Sequence, residues 1–268
     1  MNKKLIIPKK YLKRESKFEN SSLIWYSWEL SCLKKVSDEL NNMQPDLLVF
    51  GGDLISGPIP LETLDLIYDL KSKYRTASVL GNNDQDIIDS YENKKLSLSN
   101  KAQEQIKWVT RLLNEKQILD LKDMPININV GKYFFCHAIA DDNRTIFTQK
   151  TRISNIKQLF LEVISPFIIC GHTHLQFKLK IGSQQIINAG SVGMPFSDKK
   201  GAQWLWIENN NFQFRRTLFD EDIAIKNMKN SDFPFVNQFI EEYVKNTVKV
   251  RTGYKILRRL EENNRLRK

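Results

Sequence analysis

The three histidines of the sequence all closely follow apolar runs that have the composition of β-strands. His137 comes after Tyr133–Cys136, whereas His172 and His174 come after Phe167–Cys170. A lone histidine after a strand is usually structural, but here every histidine of the chain has an equivalent position. Alternate residues of an extended segment point to the same side, so His172 and His174 present two imidazoles together. Because neutral imidazole is the commonest metal ligand in proteins, we expect a metal site at these strand ends.

Oxygen ligands stand at the ends of two further predicted strands. Asp53 follows Gly51 and Gly52, and Asn82 follows Gly81. Glycine allows the backbone to turn tightly and to approach an ion closely. A mixture of imidazole and oxygen ligands suits Mn²⁺, Fe or Zn²⁺. A Gly-Asp pair after a strand is more often a simple turn, so the prediction of a metal site depends on all these segments together.

The elements that must position these residues alternate between helix and strand. Apolar residues at helical spacing predict helices, and short apolar runs predict strands. The predicted helices lie at residues 30–41, 61–74, 99–121 (two helices), 153–163 and 235–244, and the predicted strands at 46–50, 76–80, 133–136, 166–170, 177–181, 185–188, 202–207 and 212–217. This order predicts an α/β fold whose sheets are covered by helices and are partly antiparallel. In such folds the chemistry lies in loops at the carboxyl ends of strands.

The composition is that of a protein with a large core. The chain has 268 residues, of which 41% are hydrophobic and 27% are charged, and one α/β domain of this size is ordinary. No apolar run of the sequence is long enough to span a bilayer. The first apolar stretch, Leu5–Ile7, is too short for a secretory signal. We therefore expect a cytoplasmic protein with no membrane partner.

The net charge of +10 comes from the two ends of the chain. Residues 1–19 contribute +5 and residues 245–268 contribute +7, which leaves −2 for everything between them. Basic tails can bind polyanions without sequence preference, but charge runs are more often solvated faces. A nucleic-acid-binding role that uses these tails rests on charge alone, and we do not expect nucleic acid as the main partner.

Four motifs, in this order, resemble those of the calcineurin-like metallophosphoesterases. The family carries D-x-H, G-D-x, G-N-H-[DE], a lone histidine after a strand, and G-H-x-H, followed by an N-P-G-S-V-G-x-P loop. The last four ligand motifs and the loop are matched here by Gly52-Asp53-Leu54, Gly81-Asn82-Asn83-Asp84, Cys136-His137, Gly171-His172-Thr173-His174 and residues 188–195. The resemblance covers about residues 30–222.

The resemblance implies both a fold and a set of ligand roles. The fold is two facing mixed β-sheets flanked by helices, a four-layer α/β/β/α sandwich with a helical insert at about residues 96–125. Asp53 is expected to bridge two metal ions. Asn82, His137 and His172 are expected to complete one site, and His174 to belong to the other. Up to two divalent ions are implied, with Mn²⁺ as the first expectation and Fe, Zn²⁺ or Mg²⁺ as alternatives.

Two positions depart from the family pattern. Asn83 stands where the family has a histidine that protonates the leaving group, and an amide cannot shuttle a proton at neutral pH. The D-x-H motif is absent, because residues 25–29 read Trp-Tyr-Ser-Trp-Glu at its expected place. Trp25 cannot bind a metal ion, and Ser27 is a poor replacement for histidine. The first metal site keeps only Asp53 and His174, so the sequence predicts that it is weak or empty.

The missing motif divides the chain into three parts. Residues 1–29 are interpreted as an aberrant N-terminal segment, residues 30–230 as the metallophosphoesterase domain, and residues 231–268 as a C-terminal helix with a basic tail. With suitable codons, and with TGA read as Trp25, the segment before Leu30 can be read one nucleotide later as KIVLLSDIHGN. A slipped reading frame, and hence a segment without designed structure, is one hypothesis for residues 1–29. A natural protein that has lost the motif is the other.

The residues are compatible with two functions. The first is metal-dependent hydrolysis of a small phosphodiester, nucleotide or phosphomonoester. Protein phosphatases of the wider superfamily carry an arginine soon after the bridging aspartate, and Asp53–Pro58 has none, which disfavours phosphoprotein substrates. The second is a catalytically degenerate relative that binds a phosphorylated ligand or a partner, which the missing motif and Asn83 favour.

Overall fold

The computed structural model describes residues 20–24, 30–55 and 57–265. In chain order the strands are β1 (Asn20–Ile24), β2 (Leu47–Phe50), β3 (Thr76–Ser78), β4 (Asn127–Val130), β5 (Tyr133–Cys136), β6 (Phe167–Cys170), β7 (Phe177–Ile181), β8 (Gln184–Asn188), β9 (Ala202–Glu208) and β10 (Asn211–Thr217). The helices are α1 (Leu30–Met43), α2 (Pro60–Lys73), α3 (Asn82–Tyr91), α4 (Asn100–Leu112), α5 (Glu115–Lys122), α6 (Ile153–Leu159), α7 (Glu221–Lys229), α8 (Val236–Phe239) and α9 (Val250–Arg265). A π-helical segment, Ile240–Lys245, continues α8.

The strands form two mixed sheets of five strands each. The first sheet has the order β10-β9-β1-β2-β3, and the second has the order β4-β5-β6-β8-β7. In the first sheet β1, β2 and β3 run parallel, and β9 pairs antiparallel with both β1 and β10. In the second sheet β5, β6 and β8 run parallel, and β4 and β7 are antiparallel edge strands. Each sheet thus has a parallel core, whose carboxyl ends lie along one edge.

The alternation of side chains along β2 separates two hydrophobic clusters. Leu48 and Phe50 belong to the cluster formed with helices α1 to α5, whereas Leu47 and Val49 belong to the cluster shared with the second sheet. Successive side chains of a strand point to opposite faces, so the first sheet has helices on one face and the second sheet on the other. The predicted sandwich of facing sheets flanked by helices is therefore confirmed.

Helices α6 and α9 complete the cluster around the second sheet. Ile156 of α6 and Leu257 of α9 are buried among its strands. The last helix was predicted only as part of a basic tail, but it packs through Leu257, which is 5% exposed. Within the described ranges, no helix is both long enough and apolar enough to cross a lipid bilayer.

Most predicted elements agree with the structure to within a few residues. The helical insert does consist of two helices, α4 and α5. Five elements were not predicted from the sequence, namely β1, α3, β4, α7 and α9.

The segment interpreted as aberrant contains one described element. Residues 20–24 form β1 between β9 and β2, with Ile24 level with Phe50. Residues 20–24 are thus part of the first sheet, and the interpretation of residues 1–29 as an aberrant segment stays a prediction. Residues 1–19 and 25–29, including the place of the D-x-H motif, lie outside the described residues.

Candidate metal centre

The candidate site is built by loops that follow four parallel strands. The loops after β2 and β3 leave the first sheet, and the loops after β5 and β6 leave the second sheet. A backbone hydrogen bond of 3.0 Å from Gly171 to His137 joins the two loops of the second sheet. The ring nitrogen Nδ1 of His137 lies 2.7 Å from the carbonyl oxygen of Gly51 and so joins the two sheets. The carboxyl ends of both sheets therefore meet at one place.

Glycine is required where the two loops of the first sheet touch. A Cβ atom on Gly81 would lie 2.2 Å from both the backbone nitrogen and Oδ1 of Asp53. A Cβ atom on Gly52 would lie 2.5 Å from the nitrogen of Gly81, and Gly52 has a φ of +92°. No side chain fits in such contacts, so the two Gly-containing motifs are in direct backbone contact because both lack a Cβ.

Asp53 lies at the centre of the site and is 2% exposed. Its Oδ1 accepts a hydrogen bond of 2.8 Å from the backbone N–H of Asn83, and its Oδ2 accepts one of 3.0 Å from the Asn83 side-chain amide. Burial would raise the pKa of this carboxyl group, but the charges of His137 and His172 and the hydrogen bonds hold the pKa of Asp53 well below its usual value. Asp53 is therefore a carboxylate at neutral pH.

Asp84 fixes the loop that carries Asp53. Its buried carboxylate accepts hydrogen bonds from the backbone N–H groups of Asp53 (2.7 Å), Leu54 (2.8 Å) and Gly81 (3.0 Å). Burial and the charge of Asp53 raise the pKa of Asp84 to about 6, against the effect of these hydrogen bonds. Asp84 is part of the Gly-Asn-Asn-Asp motif, but the sequence did not predict this structural role.

His137 brings three predicted ligands together. Its Nε2 lies 3.4 Å from Oδ2 of Asp53 and 3.2 Å from Oδ1 of Asn82. Since Nδ1 faces the Gly51 carbonyl oxygen, which only accepts, Nδ1 carries the hydrogen of the neutral ring and Nε2 presents its lone pair. In this tautomer the lone pair of Nε2 faces two side-chain oxygens, a contact that a bound cation or a proton on Nε2 stabilises. Burial lowers the pKa of His137, but Asp53 outweighs burial and raises it, so a proton can occupy this position.

His172 has the hydrogen-bond pattern of an available ligand. Its Nε2 lies 3.1 Å from the carbonyl oxygen of Arg144, so this nitrogen carries the hydrogen, and its buried Nδ1 has no hydrogen-bond partner among the described residues. Burial, with the nearby His137, lowers the pKa of His172 to about 3, so the ring is neutral. The ring centroids of His137 and His172 are 5.1 Å apart.

His174 is held at the site by residues that follow β8. Its Nδ1 lies 2.9 Å from the Met194 carbonyl oxygen, and its ring packs at 5.6 Å from that of Phe196. Burial lowers the pKa of His174 to about 4, while the charge of Asp53 opposes the shift. A neutral ring whose Nδ1 donates to a carbonyl presents Nε2 as the lone-pair nitrogen.

Three predicted ligands are among the non-glycine residues with a strained backbone. Asp53, His172 and His174 have φ values of 57°, 54° and 58°, in the left-handed region that non-glycine residues rarely adopt. Such conformations cost about 1–3 kcal/mol each and persist where the surrounding structure imposes them, often at functional sites.

The loop of residues 188–195 supports the histidine motif. Asn188 donates hydrogen bonds from Nδ2 to the carbonyl oxygen of Gly171 (2.5 Å) and to the hydroxyl of Thr173 (3.0 Å). Its Oδ1 accepts one of 3.0 Å from the N–H of Gly190. Asn188 is fully buried, so the amide holds the backbone between His172 and His174 in place.

The donor set fits a divalent cation, although the side chains are not closed around one. No group of three or more His, Cys, Asp or Glu side chains in the described part of the chain has a metal-binding arrangement. The fit rests on chemistry: an ionised carboxylate, an amide oxygen, and imidazoles whose hydrogens point to backbone carbonyls. Metal sites use ligands in this protonation state, with the outer ring nitrogen of each histidine bonded to a carbonyl or carboxylate. The ligand roles of Asp53, Asn82, His137, His172 and His174 remain predictions.

The chain is similar to known proteins in sequence and in fold. The model of the calcineurin-like phosphoesterase superfamily domain matches residues 29–210. A hypothetical protein, PH1004, of Pyrococcus horikoshii OT3 has a similar structure, with a TM-score of 0.72 at 14% identity over 85% of this chain and 99% of that one. A metallophosphoesterase from Sphaerobacter thermophilus has a TM-score of 0.65 at 20% identity over 87% of this chain and 99% of that one.

These structural likenesses, at identities below 25%, establish the fold alone, and no curated protein matches the sequence. The family match covers more than half of the chain. The chain belongs to the calcineurin-like phosphoesterase superfamily.

Proposed function

We propose that this protein is a metal-dependent phosphoesterase that hydrolyses a small phosphorylated substrate at the site described above. The contacts of His137 carry the proposal, because its Nε2 lies 3.2 Å from the Asn82 side-chain oxygen and 3.4 Å from the Asp53 carboxylate. A divalent cation would suit these three groups, as well as the Nδ1 of His172, which has no partner among the described residues.

The proposed ligand roles are those that the family resemblance implies. Asp53, Asn82, His137 and His172 would hold one ion, and Asp53 with His174 would hold the other. Mn²⁺ is our first expectation, with Fe, Zn²⁺ or Mg²⁺ as alternatives. When bound, such ions neutralise phosphate charge and lower the pKa of water so that it can attack phosphorus.

Asn83 determines which leaving groups the site can handle. Its backbone and side-chain amides both donate to the carboxylate of Asp53, so its role here is to orient that carboxylate. An amide does not supply a proton to a departing alkoxide. We therefore expect turnover of substrates with good leaving groups, among small phosphodiesters, nucleotides and phosphomonoesters.

One preparation tests the proposed function. The metal content of the purified protein and its Mn²⁺-dependent hydrolysis of bis(4-nitrophenyl) phosphate would be measured together. We expect bound metal and turnover that a chelator abolishes and added Mn²⁺ restores. Protein that contains no metal, takes up none and shows no turnover would contradict the proposal.

The second candidate function is binding without catalysis. The absence of the D-x-H motif from the sequence favours it, since two ligands of the first ion are then lacking. Under this alternative the chain binds a phosphorylated ligand or a partner protein. It predicts metal binding or phosphate binding in the same preparation with no turnover of any phosphoester.

A further inference from the structure

The loop that follows β5 places the guanidinium group of Arg144 at the edge of the candidate metal centre. The carboxylate of Asp142 accepts a hydrogen bond of 2.5 Å from the backbone N–H of Arg144 and a second from the hydroxyl of Thr145. The buried Asn143 donates from Nδ2 to the carbonyl oxygen of Gly81 at 3.0 Å. Residues 142–145 are thereby fixed against the Gly-Asn-Asn-Asp motif.

Arg144 contacts two of the predicted ligands. Its carbonyl oxygen lies 3.1 Å from Nε2 of His172, and its Nη2 lies 3.4 Å from the carbonyl oxygen of Asn82. These contacts place the residue beside both the second-sheet and first-sheet parts of the site.

The guanidinium group is held by a buried carboxylate. Asp86 of α3 accepts hydrogen bonds from Nη2 (2.7 Å) and Nη1 (3.2 Å) of Arg144. The Asp86 side chain is 4% exposed, whereas that of Arg144 is 41% exposed. The carboxylate thus holds the guanidinium in place, while the Arg144 side chain keeps solvent access. A buried partner and an exposed cation are unlike a surface ion pair, in which both groups are solvated.

We propose that Arg144 binds a phosphoryl oxygen of the substrate, and that Asp86 is the positioning residue that aims its guanidinium. This inference rests on the proposed function. A guanidinium has five N–H donors in a fork that matches phosphate oxygens, and Asp86 engages only two of its nitrogens. Asp53, Asp84 and Asp86 make this region negative, so an anionic substrate gains from a cation at its edge.

The test compares Arg144→Gln with Arg144→Lys in the full chain. Arg111→Gln is the matched control, because Arg111 is an exposed arginine of α4 in the helical insert. In Mn²⁺-dependent hydrolysis of bis(4-nitrophenyl) phosphate, we expect Arg144→Gln to raise KM by about 10-fold or more, the effect of losing one charge-assisted hydrogen bond. We expect kcat to change by less than about 3-fold, because substrate and transition state lose the same contact.

Further readouts separate substrate binding from a purely structural role. Arg144→Lys should recover part of the KM, since a point charge still attracts phosphate. Asp86→Asn should raise KM less than Arg144→Gln does, with Mn²⁺ content unchanged in all variants. The inference would be overturned if Arg144→Gln left KM unaltered, or if a loss of bound Mn²⁺ explained the whole loss of activity.

Binding of inorganic phosphate to the Mn²⁺-loaded protein, measured by calorimetry, distinguishes this inference from the proposed function. If the wild-type protein turns over substrate and Arg144→Gln changes neither KM nor phosphate affinity, the inference alone is overturned. If wild-type protein shows no turnover but binds phosphate about 10-fold more tightly than Arg144→Gln, the inference stands and the proposed function fails. Wild-type protein with neither turnover nor phosphate binding overturns both.

Discussion

At the scale of single residues, metal binding at the site depends on which ring nitrogen of each histidine carries the hydrogen. The imidazole nitrogens that face the carbonyl oxygens of Gly51, Arg144 and Met194 carry hydrogens, so the opposite nitrogen of each ring is an acceptor whenever that ring is neutral. The sequence identified the histidines and Asp53 because their types and order are distinctive. It could not identify Asp84 or Arg144 as contributors, because their roles arise from hydrogen bonds to backbone groups far away in the chain.

Asn83→His tests the leaving-group argument at this scale. Histidine can protonate a departing oxygen, and general acid catalysis typically contributes 10²–10⁴-fold. We therefore expect Asn83→His to raise kcat for phenyl phosphate by about 10-fold or more, because its phenolate is a poor leaving group. The change for a nitrophenyl ester should be smaller, because nitrophenolate needs no proton.

The control for this prediction is Asn155→His, an exposed asparagine of α6. Kinetics with both esters on each variant provide the measurement. Equal rate changes for the two leaving groups would count against a proton-donor position at residue 83.

At the scale of elements, short apolar runs were sufficient to predict most strands, because buried parallel strands are continuously apolar. Helix α3 was missed because it begins with Asn82 and Asn83, which are poor helix formers. Strand β4 was missed because it is a polar edge strand of four residues. Helix α9 was predicted as a solvated tail because its charges hide a narrow apolar face that includes Leu257.

Gly81→Ala tests the contact between the loops after β2 and β3. The new Cβ would lie 2.2 Å from two atoms of Asp53, so the loops must separate. We expect a loss of about 1–3 kcal/mol in the free energy of unfolding, the usual cost of overpacking, together with weaker Mn²⁺ binding. Chemical denaturation and a metal titration provide the measurements.

Gly131→Ala is the matched control for this contact. Its Cβ would meet no atom within 4 Å, although its φ is +57°. We expect it to lose about 1 kcal/mol through its backbone conformation alone and to bind Mn²⁺ normally. Equal Mn²⁺ binding by Gly81→Ala and Gly131→Ala would contradict the role given to the loop contact.

Leu257→Ala tests whether α9 is part of the folded domain. Leu257 is 5% exposed, whereas Leu260 of the same helix is 46% exposed. We expect Leu257→Ala to lower the free energy of unfolding by about 2–4 kcal/mol and Leu260→Ala to change it by less than about 0.5 kcal/mol. Denaturant unfolding of both variants measures the difference, and two equal small effects would mean that α9 is only a tail.

At the scale of the whole molecule, the two sheets meet so that the carboxyl ends of their parallel strands share one site. The sequence predicted this arrangement through family resemblance, whereas the pairing of the sheets depends on long-range contacts that local patterns do not encode. Strand β1 ends at Ile24, level with Phe50 at the end of β2. The motif expected immediately after β1 is the one that the sequence lacks.

Restoring that motif tests the account of the N-terminal segment. We expect the double substitution Trp25→Asp with Ser27→His to tighten Mn²⁺ binding by at least about 10-fold and to increase turnover, because it returns two ligand types to the family's positions. Sequencing the gene across the Leu30 codon gives a separate answer about the reading frame. An intact frame in independent isolates would refute the slipped-frame hypothesis, and unchanged Mn²⁺ affinity in the double variant would refute the ligand assignment for residues 25 and 27.

The central claim is that the strand-end loops bind a divalent cation through Asp53. The most direct measurement is a Mn²⁺ titration of chelator-treated protein, followed by electron paramagnetic resonance, for the wild type and Asp53→Asn. We predict at least one bound Mn²⁺ per wild-type chain and an affinity for Asp53→Asn that is lower by about 10-fold or more. Equal Mn²⁺ binding by the two proteins, or none by the wild type, would contradict the claim.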